Sequence, residues 1–507
     1  MATKSKSSAP KGAGGGKQIA SRPSQPLALA DLVRVVAMVG LGATAYVLLP
    51  IVENPTVVFG SLVARAVVAG CVVGLLGTQI RTRWVVPACA AGASLLGCVG
   101  LGALDGLYLN GSGLLLGLVV GAALAFAVAA LGWAGQKLVA QIGCVVVVLL
   151  VALWFAGVFP GPLTQQAAQL RTPMLSAVPQ PEQYNFDGRI YLRTYYLMKA
   201  GGGYYQSFRR ALADDQRYTY SSLVSPFNYR EPLLFEFWKV LPGSDANALF
   251  DWFVVWSLLT MGAAYALSSA LVEPGVALLA PIALVRFFYF LYWVGSWFTM
   301  AEVWAVGIAI AAFAALMRKQ RILSLALLIV AVAAREFMIV FVPVWIVVWW
   351  MSGPKSRKAS WWFPAVAAFG PVAVIAIHVL SVPPLSPGAT GALGASAWLH
   401  SGFTELITAL RFSWSSTLTA TQFPQETMLP IFIVLIAIAA AALAKPRWRM
   451  AALVVATTLP LLFLFALRGN VWEYYWGGFY TPLAAAIAPG VLGRWMPARS
   501  WSDDAGR

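Results

Sequence analysis

Long apolar runs separated by short polar segments dominate the chain. Many of these runs are about 18 to 22 residues long, which is the length that a helix needs to cross the hydrocarbon core of a membrane. We predict an all-α fold, a polytopic transmembrane bundle of about fourteen spans with interfacial helices in one long loop. The predicted spans are 29–51, 57–78, 85–104, 113–133, 139–158, 246–268, 274–296, 301–317, 322–335, 337–351, 361–382, 428–444, 450–467 and 478–494.

The order of apolar and polar segments divides the chain into five parts. The first part is basic and rich in Ser, Gly and Pro, a composition typical of a disordered tail. We predict a disordered basic cytoplasmic tail at 1–26, an N-terminal five-helix transmembrane module at 27–158, an extracytoplasmic loop with interfacial helices and the candidate catalytic acid at 159–245, a C-terminal transmembrane module at 246–497 with an outer loop at 383–427, and a cytoplasmic tail at 498–507.

Composition and charge agree with a membrane protein. The 507 residues are 60% hydrophobic and 11% charged, and the mean hydropathy is +0.75. The formal net charge of +16 would by itself suggest nucleic-acid binding. The cations lie mostly in short connections and at the termini, however, where the inside-positive bias of membrane insertion places them. We therefore expect membrane lipids and no nucleic acid among the partners.

The four cysteines carry no sign of chemistry. Cys71, Cys89, Cys98 and Cys144 all lie within apolar runs, and none has the spacing of metal ligands. We predict that they are small buried side chains.

The basic connections predict the orientation in the membrane. With a cytoplasmic N-terminus, "QIRTRW", Lys137, "MRKQR", "GPKSRKAS" and "AKPRWR" all fall on the cytoplasmic side together with the C-terminus. The loop 159–245 and the segment 383–427 then face outward. This topology predicts a multi-pass plasma-membrane protein with an extracytoplasmic site, and it splits the apolar run 322–351 into two helices that turn around Arg335 and Glu336.

The loop 159–245 contains the stretch "NFDGRIYLRTYYLMKAGGGYY", which is far more polar than its surroundings. Its apolar and tyrosine positions recur at helical spacing from Asp187 onward. We predict an interfacial helix with its apolar face toward lipid and its tyrosines at headgroup depth. The glycines end the helix, and residues 225–243 form a second short interfacial segment. Asp187 is either a helix N-cap or a catalytic acid.

Further charges lie among apolar residues. Arg286 is near the middle of a predicted span, where an unpaired cation is costly, so we expect a partner or a cavity beside it. Arg335 and Glu336 lie together at an outer turn, where they either pair with each other or serve a site. "LRGNVWEYYWGGFYTP" places Arg468 and Glu473 on the same side.

A series of motifs follows these charges along the outer segments. An aspartate is followed by "AGGGYY", then by "YREP", by "ARE" between two spans, and by "WGGFYTPL" near the end. This series resembles the GT-C superfamily of integral membrane glycosyltransferases, over residues 180–340 and 468–485. Members of that superfamily take a sugar from a polyprenyl-phosphate carrier on the extracytoplasmic side. Their acidic loop usually follows the first span, whereas five predicted spans precede it here.

The resemblance implies roles for individual residues. Asp187 would be the catalytic base, and Arg230, Arg335 and Arg468 would bind the donor phosphate, since a planar guanidinium suits phosphate oxygens. The implied substrate-binding residues are Tyr204, Tyr205, Glu231, Glu336, His400, Glu473 and Trp476. The aromatic residues either stack on sugars or anchor the chain in the interface, and Glu231 either assists Asp187 or pairs with Arg230. No cofactor is expected, with a divalent cation left open.

The function predicted from these features is glycosyl transfer. The chain would move a sugar from a polyprenyl-phosphate-linked donor to a glycan or glycolipid acceptor of the cell envelope, by single displacement with an Asp base and an Arg-bound phosphate. The alternatives are a lipid-linked sugar flippase or transporter, and a polysaccharide polymerase or ligase. The absence of self-similar halves in the sequence and the concentration of polar residues on one face favour the enzyme.

Overall fold

The structure, a computed structural model, describes residues 29–50, 55–80, 82–105, 111–157, 186–213, 229–289, 293, 297–352, 362–383, 481–494 and 496. Within these ranges the chain is all-helical and contains no strand. The predicted all-α class is therefore confirmed for the described residues. The two tails, the outer loop 383–427 after its first residue, and the predicted spans 428–444 and 450–467 lie outside them.

The described chain forms sixteen α-helices and three short 3-10 segments. The helices are α1 (Leu29–Leu48), α2 (Pro55–Gly77), α3 (Val85–Asp105), α4 (Gly111–Trp133), α5 (Lys137–Gly157), α6 (Phe186–Lys199), α7 (Tyr204–Ala213), α8 (Pro232–Val240), α9 (Ala246–Ser268), α10 (Pro274–Ala277), α11 (Leu279–Phe288), α12 (Ala301–Met317), α13 (Arg321–Ala334), α14 (Phe341–Ser352), α15 (Trp362–Ser381) and α16 (Thr481–Ile487). The 3-10 segments are Trp297–Thr299, Glu336–Val340 and Ala488–Arg494.

Six of the described helices are long and apolar enough to cross a membrane. Their apolar parts are Asp31–Leu48, Val58–Gly77, Ser112–Trp133, Lys137–Gly157, Ala246–Ser268 and Trp362–Ser381. Further apolar helices of 10–17 residues are present, among them α12 and α13. The coarse prediction of a membrane-embedded helical protein is supported, whereas the number of about fourteen spans stays a prediction. All four cysteines are free and buried, as predicted.

Small residues let α2 and α4 approach closely. A Cβ atom added to Gly70 would lie 2.5 Å from the carbonyl oxygen of Gly121. A Cβ atom added to Gly121 would lie 2.6 Å from the carbonyl oxygen of Ala66. Backbone approach at small residues is the usual way in which helices pack inside a membrane, where apolar burial between helices gives little driving force.

We expect Gly70→Ala to lower the free energy of unfolding by about 1–3 kcal/mol, because the new methyl group meets backbone that cannot move aside. Gly92→Ala in α3 is the matched control, since nothing lies within 4 Å of its added Cβ atom. Thermal unfolding in detergent measures both variants. Equal melting temperatures for the two would contradict the close packing of α2 on α4.

One end of the bundle, which we call the basic end, joins distant helices through polar contacts. Arg34 in α1 pairs with Glu273 at 3.1 Å, and the amide of Gln79 donates to the other carboxylate oxygen of Glu273 at 2.6 Å. Arg318, at the end of α12, donates to the hydroxyl of Ser269 at 3.2 Å. The start of α1 and the ends of α2, α9 and α12 therefore share this end.

Arg286 lies at the opposite end, which we call the site end. Its guanidinium donates to the carbonyl of Val47, near the end of α1, at 3.3 Å. Arg286 is in the last turn of α11, and the partner expected beside it is this carbonyl. Its depth in the membrane stays a prediction. The ring of Phe288 stacks on that of Trp293, 6.0 Å away.

The apolar face of α6 packs against protein. Tyr191 and Tyr195 are each only 1% exposed. Their rings contact those of Phe235 and Trp238 of α8, at 5.6 Å and 6.5 Å respectively. The prediction that this face points toward lipid was therefore wrong, because α8 covers it. Helical spacing identifies an apolar face but not the partner that buries it.

The glycine turn after α6 is present as predicted. Gly201 has φ +100, and its N–H donates to the carbonyl of Met198 at 3.0 Å. The N–H of Gly202 donates to the carbonyl of Leu197 at 3.0 Å. These two bonds form the Schellman motif that ends many helices, and its left-handed residue favours glycine. The turn reverses the chain, so that α7 packs beside α6 with Phe208 near Tyr191.

Candidate functional site

A buried ion cluster lies where α13 breaks. The helix ends at Ala334, and Arg335 is extended with φ -157 and ψ 115. The guanidinium of Arg335 contacts Glu302 at 2.9 Å and also pairs with Glu336. The break predicted around Arg335 and Glu336 is present, and so is their mutual pairing. Arg335 is 0% exposed, so two carboxylates offset the cost of burying its charge.

Glu302 is the member of this cluster that the site prediction missed. The residue lies in the first turn of α12 and is 1% exposed. A carboxylate near the start of an otherwise apolar helix was a usable signal, because such a charge requires a partner. Only the tertiary fold identifies Arg335 as that partner.

Arg230 is held by two tyrosines. Its side-chain Nε donates to the hydroxyl of Tyr191, and its guanidinium carbon lies 5.8 Å from the centre of that ring. The backbone carbonyl of Arg230 accepts a hydrogen bond from the hydroxyl of Tyr204. The ring of Tyr204 is buried against Phe235 at 5.1 Å. Tyr204 therefore fixes the start of α8, and its ring packs against protein.

Glu231 follows Arg230 and is 2% exposed. Its Oε2 lies 3.7 Å from Nδ1 of His378, in the last turn of α15. The hydroxyl of Tyr205 lies 3.2 Å from the same nitrogen, and Nε2 of His378 lies 3.4 Å from the carbonyl oxygen of Tyr229. Within the described ranges, Oε1 of Glu231 has no hydrogen-bond partner. Helices α7, α8 and α15 thus converge on one buried carboxyl group.

The pKa of Glu231 is raised to about 8. Burial is the main cause, the neighbouring Glu336 adds to it, and Arg335 opposes it. The carboxyl group of Glu231 is therefore mostly protonated at neutral pH. Burial also raises the pKa of the Tyr205 hydroxyl. A hydrogen bond with Ser381 lowers this pKa, and negative charge on Glu231 raises it.

The raised pKa predicts a pH-dependent stability. Between about 4.3, the usual pKa of Glu, and about 8, the folded protein binds a proton at Glu231 that the unfolded chain does not hold. The free energy of unfolding should therefore fall as the pH rises through this window, by on the order of 3 kcal/mol. Glu231→Gln should remove this fall, because an amide does not titrate.

Melting temperatures in detergent from about pH 5 to about pH 9 measure the effect. Glu236→Gln is the matched control: it lies in the same helix, is half exposed, and pairs with Lys239 at 3.9 Å. This control should keep the wild-type pH dependence. Parallel curves for the wild type and Glu231→Gln would contradict the raised pKa.

Asp187 lies in the first turn of α6, one residue after the helix begins. It is four residues before Tyr191, so the two positions share a face of the helix. A Cβ atom added to its neighbour Gly188 would lie 2.8 Å from Oγ1 of Thr299, which shows that this turn packs on the segment leading into Glu302. Four further predicted residues, Arg468, His400, Glu473 and Trp476, lie outside the described residues.

The fold and the cluster define a class: a membrane-embedded helical protein with buried charges and tyrosines at one end of its bundle. Comparison with protein-family models, with curated proteins and with solved structures gave no match. In the part of the chain that the structure describes, no group of three or more His, Cys, Asp or Glu side chains is arranged to hold a metal ion.

Proposed function

We propose that the protein transfers a sugar from a polyprenyl-phosphate donor to a glycan or glycolipid acceptor of the cell envelope, at the extracytoplasmic face of the plasma membrane. One observation carries this proposal. At the site end, the structure brings together residues from separate segments that the sequence predicts as site residues. Arg230 and Glu231 at the start of α8 interact electrostatically with Arg335 and Glu336 between α13 and α14. The turn of α6 that contains Asp187 packs on Thr299, three residues before the Glu302 that pairs with Arg335.

Each step of the proposed reaction has a candidate residue. Asp187 accepts the proton of the acceptor hydroxyl while the acceptor oxygen bonds to the anomeric carbon. The bond between that carbon and the donor phosphate oxygen breaks, and the electron pair leaves with polyprenyl phosphate. Guanidinium groups stabilise the phosphate as its charge develops. A single displacement of this kind inverts the anomeric centre.

The surroundings of Arg230 and Arg335 support different roles for them in binding the donor phosphate. Arg335 already faces Glu302 and Glu336, so its positive charge is offset within the protein. Arg230 is half-buried, and an aromatic ring and a hydroxyl hold its guanidinium. Arg335 is fully buried and Arg230 is not, so we assign the first contact with the donor phosphate to Arg230, with Arg335 behind it. Arg468 supplies the further positive charge that a phosphate requires.

The contacts of the basic end support the proposed orientation. The guanidinium of Arg83 lies 5.3 Å from the ring centre of Trp133, so the connections after α2 and α4 are neighbours. Arg318 and the turn at Ser269 also belong to this end. Short connections rich in Lys and Arg are typical of the cytoplasmic side. With the basic end in the cytoplasm, the site end faces outward.

Reconstitution in liposomes tests the proposal. The purified chain is supplied with polyprenyl-phosphate sugars labelled in the sugar and with an envelope glycan or glycolipid extract. The expected result is labelled acceptor together with free polyprenyl phosphate. Movement of intact donor across the bilayer without any transfer would favour the flippase alternative. Transfer of preassembled oligosaccharides in place of single sugars would favour the polymerase or ligase alternative.

A further inference from the structure

The imidazole of His378 links an accessible hydroxyl to a buried carboxyl group. A neutral imidazole has one N–H group and one acceptor nitrogen. The carbonyl of Tyr229 is 3.4 Å from Nε2, which assigns the N–H group to that nitrogen. Nδ1 is then the acceptor, and both the hydroxyl of Tyr205, at 3.2 Å, and Oε2 of Glu231, at 3.7 Å, face it.

The hydrogen bonding of the Glu231 carboxyl group differs from that of a buried carboxyl group with a purely structural role. Buried carboxyl oxygens normally have hydrogen-bond partners, but Oε1 of Glu231 has none among the described residues. Oε2 would need to move by about half an ångström to bond to Nδ1 of His378. Glu231 and His378 are 2% and 6% exposed, whereas Tyr205 is half-buried. Tyr205, His378 and Glu231 therefore form a line of three polar groups from the half-buried tyrosine to the buried carboxyl group.

We propose that Tyr205, His378 and Glu231 form a proton relay that protonates the departing phosphate of the donor, with Glu231 as its proton store. This proposal rests on the proposed function, in which Asp187 acts as the base. Asp187 in the first turn of α6 would then be the base, and Glu231, buried behind an imidazole, would supply the acid.

The proposed step balances. As the bond between the sugar and the phosphate oxygen breaks, the hydroxyl proton of Tyr205 passes to that oxygen. Nδ1 of His378 accepts the carboxyl proton of Glu231 and passes it on to the Tyr205 oxygen. The net change is one proton moved from Glu231 to polyprenyl phosphate. Solvent restores that proton through Tyr205 after the product leaves.

Burial and the negative charge of Glu336 favour a proton on Glu231, and Arg335 opposes it, within a set of charged and titratable neighbours. They are Arg335 and Glu336 between α13 and α14, His378 on α15, Tyr205 on α7, and the adjacent Arg230. The raised pKa, about 8, means that the store is filled at neutral pH and empties above it. Transfer by the wild type should therefore decline as the pH rises through about 8.

The experiment combines kinetics with infrared spectroscopy on the full-length protein. Glu231→Gln and Tyr205→Phe should each lower the rate of sugar transfer by about tenfold to a hundredfold. Both variants should also lose the decline above about pH 8. Tyr265→Phe is the matched control, because its buried hydroxyl lies in α9 and it should keep the wild-type rate and profile. Melting temperatures identify any variant that fails to fold.

Infrared pH-difference spectra test the proton store without any substrate. The wild type should show the carbonyl band of a protonated carboxylic acid that titrates near pH 8, and Glu231→Gln should lack it. Absence of that band, or a decline above about pH 8 that persists in Glu231→Gln, would overturn the relay and leave the transferase proposal standing. A wild type that transfers no sugar would instead overturn the proposed function. The infrared titration would then test only whether Glu231 stores a proton.

Discussion

Asp187→Asn is expected to lower the turnover number for sugar transfer by about 10²–10⁴-fold, the usual contribution of a general base. The amide keeps the size of the side chain but does not accept the proton of the acceptor hydroxyl. Asp187 lies in the first turn of α6, where asparagine is compatible with the helix. The melting temperature should therefore stay within about 2 °C of the wild type.

The kinetic pattern distinguishes a base from a binding residue. Removal of the base lowers the turnover number and leaves the KM for the donor nearly unchanged, because it affects the transition state alone. Asp31→Asn is the matched control, since Asp31 lies in the first turn of α1, whose start belongs to the basic end. That control should transfer sugar at the wild-type rate. Full activity of Asp187→Asn would reject the assignment of the base.

Arg335→Met is expected to lower the free energy of unfolding by about 3–5 kcal/mol. The variant would leave the buried Glu302 and the partly buried Glu336 without the guanidinium that neutralises them. A loss of this size would prevent much of the protein from folding. Thermal unfolding in detergent, together with the yield of monodisperse protein, measures the effect.

Two controls separate the ion cluster from a general effect of losing a cation. Arg318→Met removes an exposed arginine at the basic end and should cost less than about 1 kcal/mol. Adding Glu302→Gln to Arg335→Met should restore part of the lost stability, because one of the two stranded charges is removed. A double variant no more stable than Arg335→Met would argue against coupling between Arg335 and Glu302.

The sequence predicts the helical fold well because the signal is local. Apolar runs and basic connections correspond to helices and their ends, and glycines such as Gly201 end a helix where φ becomes positive. The helix break at Arg335 follows from charges inside an apolar run. The end of α11 at Phe288 does not follow, since aromatic residues extend a helix as readily as they pack beside one.

The candidate site is only partly predictable because its contacts join distant segments. Glu302 and Arg335 are 33 positions apart, and Tyr205 and His378 are 173 positions apart. The sequence identifies charges that need partners but does not identify the partners. It therefore includes Arg230, Glu231 and Glu336 as candidates, and it gives no reason to join His378 to Glu231. The catalytic role of Asp187 stays a prediction.

The contacts of Glu273 tie the two halves of the chain together. Its carboxylate binds Arg34 and Gln79 from the first two helices, and its N–H donates to the carbonyl of Met496 at 3.0 Å. A chain shortened to begin after α5 would retain this acid but lose these two side-chain donors. The first five helices therefore contribute to the stability of the rest of the chain. We expect the remaining helices to fold stably only when these five are present.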